Sequence, residues 1–336
     1  MSDDLNYDVV VVGGGAAGLS GAMALGRSRR SVLVIDAGEP RNAPADHAHN
    51  YLGREGVSPR ALVEIGREEV ARYGVEVRAD RVVGLSGEAG SFAVTTERGR
   101  RVSARRILVA GGAVDELPDV PGLAARWGKD ALHCPYCHGW EVRDQRLVIL
   151  GTTPMAGHHG LLFGQLSDDV TLVVFDGVEL PEAELEKMSA IGVQIAVGTP
   201  QEVVTDGDAL VGLRWQDGSV LECDAIVVAS KVHARADYLA PLGIEPKPFE
   251  MNGIPFGSVI PVEPTGATSV PGIFAAGNIT DVAMILIAAA AHGVRVGAWI
   301  NAELAGEEAA AAVADKRAQI AEQTSREGAT PTDPPS

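Results

Sequence analysis

The stretch Tyr7-Asp8-Val9-Val10-Val11-Val12-Gly13-Gly14-Gly15-Ala16-Ala17-Gly18 decides the fold of this chain. Its first half is a β-branched apolar run that reads as a buried strand. Its second half places Gly13, Gly15 and Gly18 in the spacing G-x-G-x-x-G and leads into an Ala/Leu-rich helical stretch. A second apolar run, Ser31 to Ile35, ends at Asp36. Strand, glycine turn, helix and strand make one βαβ unit of a parallel sheet. The glycines let the backbone turn tightly and approach a pyrophosphate. The residues between them, Gly14, Ala16 and Ala17, put amides and the positive end of a helix there. Asp36 is placed to accept hydrogen bonds from an adenosine ribose. A glycine turn without a ligand is the competing explanation, and the strand, helix and acid together weigh against it. The motif does not choose between FAD and NAD.

Working outward, Arg146 to Leu150 reads as another strand, ends at Gly151 and is followed by a helical stretch; Val170 to Phe175 closes that second unit. Ala225 to Ala229 and Gly272 to Ala276 read as buried strands, and from Ala288 the chain is helical and Ala-rich. Residues 323–336 carry Pro, Thr, Ser and Gly with few apolar residues, the composition of a disordered tail. The expected fold is α/β, two Rossmann-like, three-layer ββα dinucleotide-binding folds with the second inserted in the first. Residues 1–114 and 247–316 form the outer fold and 117–245 the insert.

Bulk properties narrow the function. The chain has 336 residues, 46% of them hydrophobic, enough for two cores. A formal charge of −17 argues against a nucleic-acid partner, whose phosphates it would repel. The chain opens Met1-Ser2-Asp3-Asp4 and enters a strand, so no signal peptide or membrane span is expected and a cytoplasmic setting follows. Two of the three cysteines stand close together as a lone Cys-x-x-Cys, which in such a setting points to redox or metal chemistry rather than to a secreted disulfide framework.

That pair lies in Cys134-Pro135-Tyr136-Cys137-His138-Gly139-Trp140-Glu141. Cysteines at i and i+3 at a helix start can close a small disulfide, and the helix N-terminus lowers a thiol pKa toward the reactive thiolate. Zinc needs about four ligands; Cys223 stands in a separate strand-like region and there is no second pair, so no metal is expected. Cys-x-x-Cys-His is also a haem attachment signature, but that requires export. A purely structural pair of buried thiols is the remaining rival. Histidine titrates near neutral pH, so His138 suits proton transfer during thiol exchange, with a packing or capping histidine as its bland alternative.

Nearly the whole chain, to about residue 316, resembles the low-molecular-weight thioredoxin reductase family. The resemblance rests on Gly13–Gly18, on His49-Asn50-Tyr51-Leu52-Gly53, on Ile107-Leu108-Val109-Ala110-Gly111-Gly112, on the central dithiol and on Gly272-Ile273-Phe274-Ala275-Ala276-Gly277-Asn278. It implies FAD as the cofactor and a homodimer. It extends the FAD site from the first turn and Asp36 to Arg41, Asn42, Asn50, Val82, Gly111, Gly277 and Asn278. It makes Cys137 the thiol facing the flavin in a charge-transfer pair and Cys134 the thiol that exchanges with substrate. His138 stands where the family commonly has an acid. Asn278 stands where it usually has Asp, and Ile285-Leu286 where it has Arg-Gln, so this flavin edge is more apolar.

The family also takes electrons from NADPH through a second G-x-G-x-x-A turn and an arginine-rich segment. Here the turn reads Gly151-Thr152-Thr153-Pro154-Met155-Ala156. Thr153 replaces a glycine that lets backbone approach a pyrophosphate, and Pro154 removes an amide donor. After the next strand comes Asp176-Gly177-Val178-Glu179 without an arginine. The insert is therefore expected to be a scaffold without its nucleotide. The active-site stretch, with Pro40-Arg41-Asn42, looks like the dithiol oxidases that close the disulfides of gliotoxin and holomycin. That resemblance implies a small dithiol substrate, FAD and oxygen as final acceptor. The competing expectations are a reductase of thioredoxin or a small disulfide, fed by ferredoxin or NAD(P)H, and a non-catalytic redox sensor.

Overall fold

The computed structural model describes residues 6–327 apart from Met155 and Asn252. The first sheet is built from β1 (Asn6–Val12), β2 (Val32–Asp36), β3 (Glu76–Ala79), β4 (Val82–Glu88), β5 (Ser91–Thr96) and β6 (Arg101–Val109). Its order is β3-β2-β1-β6-β5-β4. Strands β3, β2, β1 and β6 are parallel, and β4–β5–β6 form an antiparallel flap. Both faces of β1 are buried, as a parallel sheet demands. Val10 and Val12 face a core shared with Val82, Phe92 and Val94, while Val9 and Val11 face α1 (Ala16–Arg27) and α2 (Pro59–Ala71).

β7 (Ala113–Glu116) leaves this sheet. After α3 (Leu123–Arg126), β8 (Ala131–Leu132) and α4 (Pro135–His138) come β9 (Leu147–Gly151), α5 (Ala156–Phe163), β10 (Val170–Val174), α6 (Glu182–Ala190) and β11 (Gln194–Val197). A hairpin follows, β12 (Glu202–Asp206), β13 (Ala209–Arg214) and β14 (Val220–Glu222), then β15 (Ala225–Val228). The second sheet is parallel throughout, in the order β11-β10-β9-β15-β8. Its middle strand again buries both faces, Leu147 and Ile149 on one side and Val148 and Leu150 on the other.

The chain returns through β16 (Lys231–Ala234), which pairs antiparallel with β7 and parallel with β18 (Ile254–Val259), itself paired to β17 (Lys247–Met251). Ala236, Leu239 and Ile244, expected within the insert, pack into the core of the first sheet. The stretch 236–244 of the returning chain therefore packs with the first fold, earlier than the composition suggests. β19 (Ile273–Ala275) then pairs with β6, beyond the part of that strand used by β5.

α7 (Leu286–Glu327) ends the described chain. Residues 323–327, expected in a disordered tail, continue this helix, because the preceding Ala/Glu-rich run propagates it; residues 328–336 lie outside the described residues. α7 crosses α1 at close range. A Cβ on Gly293 would lie 2.0 Å from the Ala17 carbonyl oxygen, and one on Gly297 2.6 Å from that of Gly21, so only glycine allows the approach. Arg106, 1% exposed on β6, bonds Glu303 (Nε, 2.7 Å) and Glu307 and ties the sheet to α7. Among the described residues no helix is long and apolar enough to cross a membrane.

Candidate flavin and dithiol site

The first turn has the shape of a dinucleotide cradle. Gly13 has φ +101°, where a side chain is strained, and a Cβ there would meet the Ala110 carbonyl oxygen at 2.4 Å. A Cβ on Gly18 would lie 1.9 Å from the Gly13 oxygen, so this glycine lets α1 close against the turn. Gly15 is different. Nothing lies within 4 Å of where its Cβ would be, which leaves open space beside the backbone amides at the start of α1. Gly15 and Ala16 line a cleft of about 310 Å³ together with Asn42, Tyr51 and Leu52.

Asp36 closes the other side. Its Oδ1 accepts from the Gly14 amide (3.0 Å) and its Oδ2 from Arg67 (2.7 Å). Each carboxylate oxygen has a second lone pair, so the acid keeps capacity for ribose hydroxyls. Arg67 lies 31 residues away in sequence on α2, and no motif announced it. Val82 is buried at the start of β4. Gly111 packs against Gly13, with its Cα 3.2 Å from the position of a Gly13 Cβ. Gly277 takes φ +82° and faces Ala17, and its amide donates to His292 Nδ1 (3.3 Å). Asn278 Nδ2 donates to the carbonyls of Asp281 (3.1 Å), Val282 (3.4 Å) and Met284 (2.9 Å). With Nδ2 committed to its own loop, Oδ1 is the atom Asn278 has left for a ribityl hydroxyl. The cradle, the open flank at Gly15 and the acid together fit a flavin dinucleotide.

The dithiol sits at the start of α4. Cys134 is the N-cap in extended geometry, Pro135 occupies the first helical position, and the Cys137 and His138 amides return to the Cys134 carbonyl (3.2 and 3.1 Å). The Cys-x-x-Cys spacing at a helix start predicts a thiol activated by the helix N-terminus. α4 is a single turn of four residues, so little aligned dipole exists and individual groups do the work instead. Cys134 and Cys137 are half-buried free thiols. A hydrogen bond from the Cys137 thiol, helped by the Cys137 and Tyr136 amides and by the Arg41 charge, holds Cys134 down to about 7 against its burial. Cys137 is pushed far up by that same bond to Cys134, and by burial. Of the two thiols Cys134 is therefore the one that ionises first, with Cys137 keeping its proton. A charge on Cys137 requires the shared proton to shift across one hydrogen bond.

The loop after β2 holds this turn in place. Asn50, at φ 58°, donates from Nδ2 to the Tyr136 carbonyl (2.5 Å). His49 pairs through Nδ1 with Glu55 (2.6 Å), and its Nε2 lies 3.4 Å from Glu141. Among the described residues His138 Nε2 is buried without a hydrogen-bond partner, and burial lowers its pKa, although Glu141 opposes this. Arg41 does not stand free: Nε and Nη2 make a two-bond fork on Asp115 (2.8 and 2.6 Å). Around the dithiol Leu52, Tyr136 and Trp140 are 91%, 66% and 66% exposed, with Arg143 stacked 4.1 Å over the Trp140 ring.

The second turn differs from the first. A Cβ on Gly151 would already meet the Val173 carbonyl oxygen at 2.9 Å, and the Thr153 carbonyl caps the start of α5 by accepting from Ala156 (3.1 Å). Asp176, two residues beyond the end of β10, spends Oδ2 on the Thr199 amide (3.0 Å), and its own amide donates to Thr199 Oγ1 (3.2 Å); the sheet register puts Val174 where Asp36 stands in the first fold. It serves a local turn.

Two nucleotide-type sheets, one intact phosphate cradle and a half-buried dithiol define a flavin-dependent thiol–disulfide oxidoreductase. Residues 7–306 match the model of the pyridine nucleotide-disulphide oxidoreductases, and the chain belongs to that family, whose thioredoxin reductase-like members bind FAD. It is 33% identical to thioredoxin reductase tcpT of Claviceps purpurea, over 83% of this chain and 88% of that protein. It is 30% identical to thioredoxin reductase sirT of Leptosphaeria maculans, over 91% and 96%. The crystal structure of HlmI superposes with a TM-score of 0.86 at 39% identity, covering 95% of this chain and 99% of that one.

Proposed function

We propose that this chain is an FAD-dependent dithiol oxidase that closes a disulfide in a small dithiol, with oxygen as final acceptor. The observation that carries it is the contrast between an intact flavin cradle beside a dithiol and a second turn whose glycine, amide and acid are altered or engaged elsewhere. The site residues act as follows. A substrate thiolate attacks Cys134 Sγ of the oxidised pair, the Cys134–Cys137 bond breaks, and Cys137 leaves as a thiolate. The substrate's second thiolate then attacks the substrate sulfur of the mixed disulfide and releases Cys134. The substrate loses two electrons and two protons, and the pair gains the electrons. His138, kept neutral by burial, takes a proton beside Cys137. Bound FAD, held by Gly13–Gly18, Asp36, Gly111, Gly277 and Asn278, supplies the two-electron acceptor that returns the pair to its disulfide. The working form is a cytoplasmic homodimer.

The relatives named thioredoxin reductases favour a second reading, a reductase of a small disulfide or a thioredoxin-like protein fed by NAD(P)H or ferredoxin. Anaerobic stopped-flow separates the two. The oxidase predicts that a dithiol such as dithiothreitol bleaches the flavin while NADPH and NADH do not. Bleaching by either nucleotide at about 1 s⁻¹ or faster, an ordinary turnover rate, would make the protein a nicotinamide-dependent reductase.

A further inference from the structure

The dithiol turn and the flavin cradle belong to different folds, and one short loop touches both. Tyr51 and Leu52, in the loop after β2, line the cleft beside Gly15 and Ala16. Asn50, the residue before them, reaches the other way. Its Nδ2 donates to the Tyr136 carbonyl (2.5 Å), on the turn that the inserted fold carries. Tyr136 stands between the two cysteines. The peptide that offers this carbonyl offers the Cys137 amide at its other end, and that amide donates to the Cys134 carbonyl (3.2 Å). A line of hydrogen bonds thus runs from Asn50 through the Tyr136–Cys137 peptide to Cys134, with both ends of the central peptide engaged.

Asn50 is itself held. Its φ of 58° lies in the left-handed region, which most side chains resist and asparagine tolerates. Its amide donates to Glu55 Oε2 (3.0 Å), and Glu55 Oε1 takes His49 Nδ1 (2.6 Å). The Nε2 of His49 lies 3.4 Å from Glu141, a second approach to the dithiol segment. Glu55 therefore fixes the loop backbone before the grip is made, and the Asn50 side chain needs little further ordering to make it. The Asn50–Tyr136 bond is open to water and adds little to stability. Its contribution is place.

We infer that Asn50 is a positioning residue for the dithiol: from the flavin-binding fold it grips the peptide between Cys134 and Cys137 and so fixes how the pair stands to the cofactor cradle. As the Cys134–Cys137 bond closes, two electrons leave the dithiol for the flavin, and that step depends on close approach. Capture of Cys134 by a reagent from solvent does not. The inference takes from the proposed function only that the pair reduces the flavin.

The test begins with Asn50→Gly. Glycine adopts φ 58° without strain, so the variant removes the grip and keeps the path of the loop. The Tyr-Cys dipeptide occurs once in the chain, so tyrosine labelled with ¹³C at its carbonyl and ¹⁵N-cysteine together give a single amide–carbonyl NMR signal. In protein saturated with FAD and reduced anaerobically, that carbonyl should move upfield in the variant as its bond is lost. At saturating dithiothreitol, first-order bleaching of the flavin should slow by roughly tenfold, while alkylation of Cys134 by iodoacetamide, followed by mass spectrometry, stays within about twofold. Should Asn50→Gly fail to fold, Glu55→Ala, at a side chain 67% exposed, frees the Asn50 backbone and takes its place with the same signs. An unmoved carbonyl overturns the proposal, and so does a moved one with bleaching unslowed. Equal slowing of bleaching and alkylation would show a generally disturbed turn and overturns it too. If dithiothreitol does not bleach the unaltered protein, the oxidase reading falls and the carbonyl signal alone judges this inference.

Discussion

The chain contains the same βαβ plan twice, and the two copies have gone different ways. In the first, Gly13, Gly15 and Gly18 keep the backbone bare, and Asp36 closes the site with a lone pair to spare on each oxygen. In the second, Gly151 survives because Val173 leaves it no room for a side chain, while Thr153 and Pro154 stand where bare backbone and a free amide would serve a phosphate. The glycine kept in both copies is the one that packing requires. Of the two lost from the second, Gly15, with open space beside it, is the one a ligand would require, while Gly18, whose counterpart is Ala156, serves the closure of α1 on the turn. Packing and binding therefore leave separate marks on one motif, and comparing two copies in one chain tells them apart.

The largest expected effect falls on the first turn. Gly18→Ala drives a methyl into the Gly13 carbonyl, and purified protein should retain little FAD, with affinity down by roughly 10²-fold or more, about 2.7 kcal/mol. Flavin absorbance against protein concentration measures it; retention at the level of the unaltered protein would mean the cradle is not the flavin site. Next comes His138→Ala, which should slow dithiol-driven flavin bleaching by roughly 10²-fold. Because burial lowers the His138 pKa, the imidazole stays neutral through the neutral range. Beyond the fall that loss of substrate thiolate causes in both proteins, bleaching by the unaltered protein should show an additional acid limb below the ordinary histidine value, and the variant should lose that limb. A change of a few-fold with the limb intact would return His138 to a packing role. The smallest effects set the two acids side by side. Asp36→Asn should weaken FAD by about tenfold, near 1.4 kcal/mol, whereas Asp176→Asn should leave flavin affinity unchanged and stability within about 0.5 kcal/mol. Equal losses from both would erase the distinction between the turns.

Much of this was legible because it is local. The strand–glycine–helix signature lies within a dozen residues and depends on steric rules that hold wherever it occurs, and Cys134 and Cys137 are neighbours on one turn. What the sequence hid depends on distance. Arg41 read as a cofactor contact, yet 74 residues separate it from the Asp115 that holds two of its nitrogens, and no local pattern encodes such a pair. Arg67 at Asp36 and His292 at Gly277 were hidden for the same reason. The end of α7 was misread for another. Gln323 to Glu327 is polar enough to stand alone as a tail, but a helix already thirty-odd residues long extends through such residues at little cost, since nucleation is behind it.

The pairing of β7 with β16 has a consequence for how such a protein can be assembled. The chain departs the first fold along one strand and comes back along its neighbour, with Glu116 opposite Lys231. Paired residues of antiparallel strands lie only about 5 Å apart, so the chain enters and leaves the second sheet at one place. Genetically, that is a splice site. Joining Glu116 to Lys231 through a two-residue Asn-Gly turn would close a hairpin already in register and delete everything between. By the same geometry a different module could be stitched in there, which makes the flavin half a chassis and the dithiol half an exchangeable head.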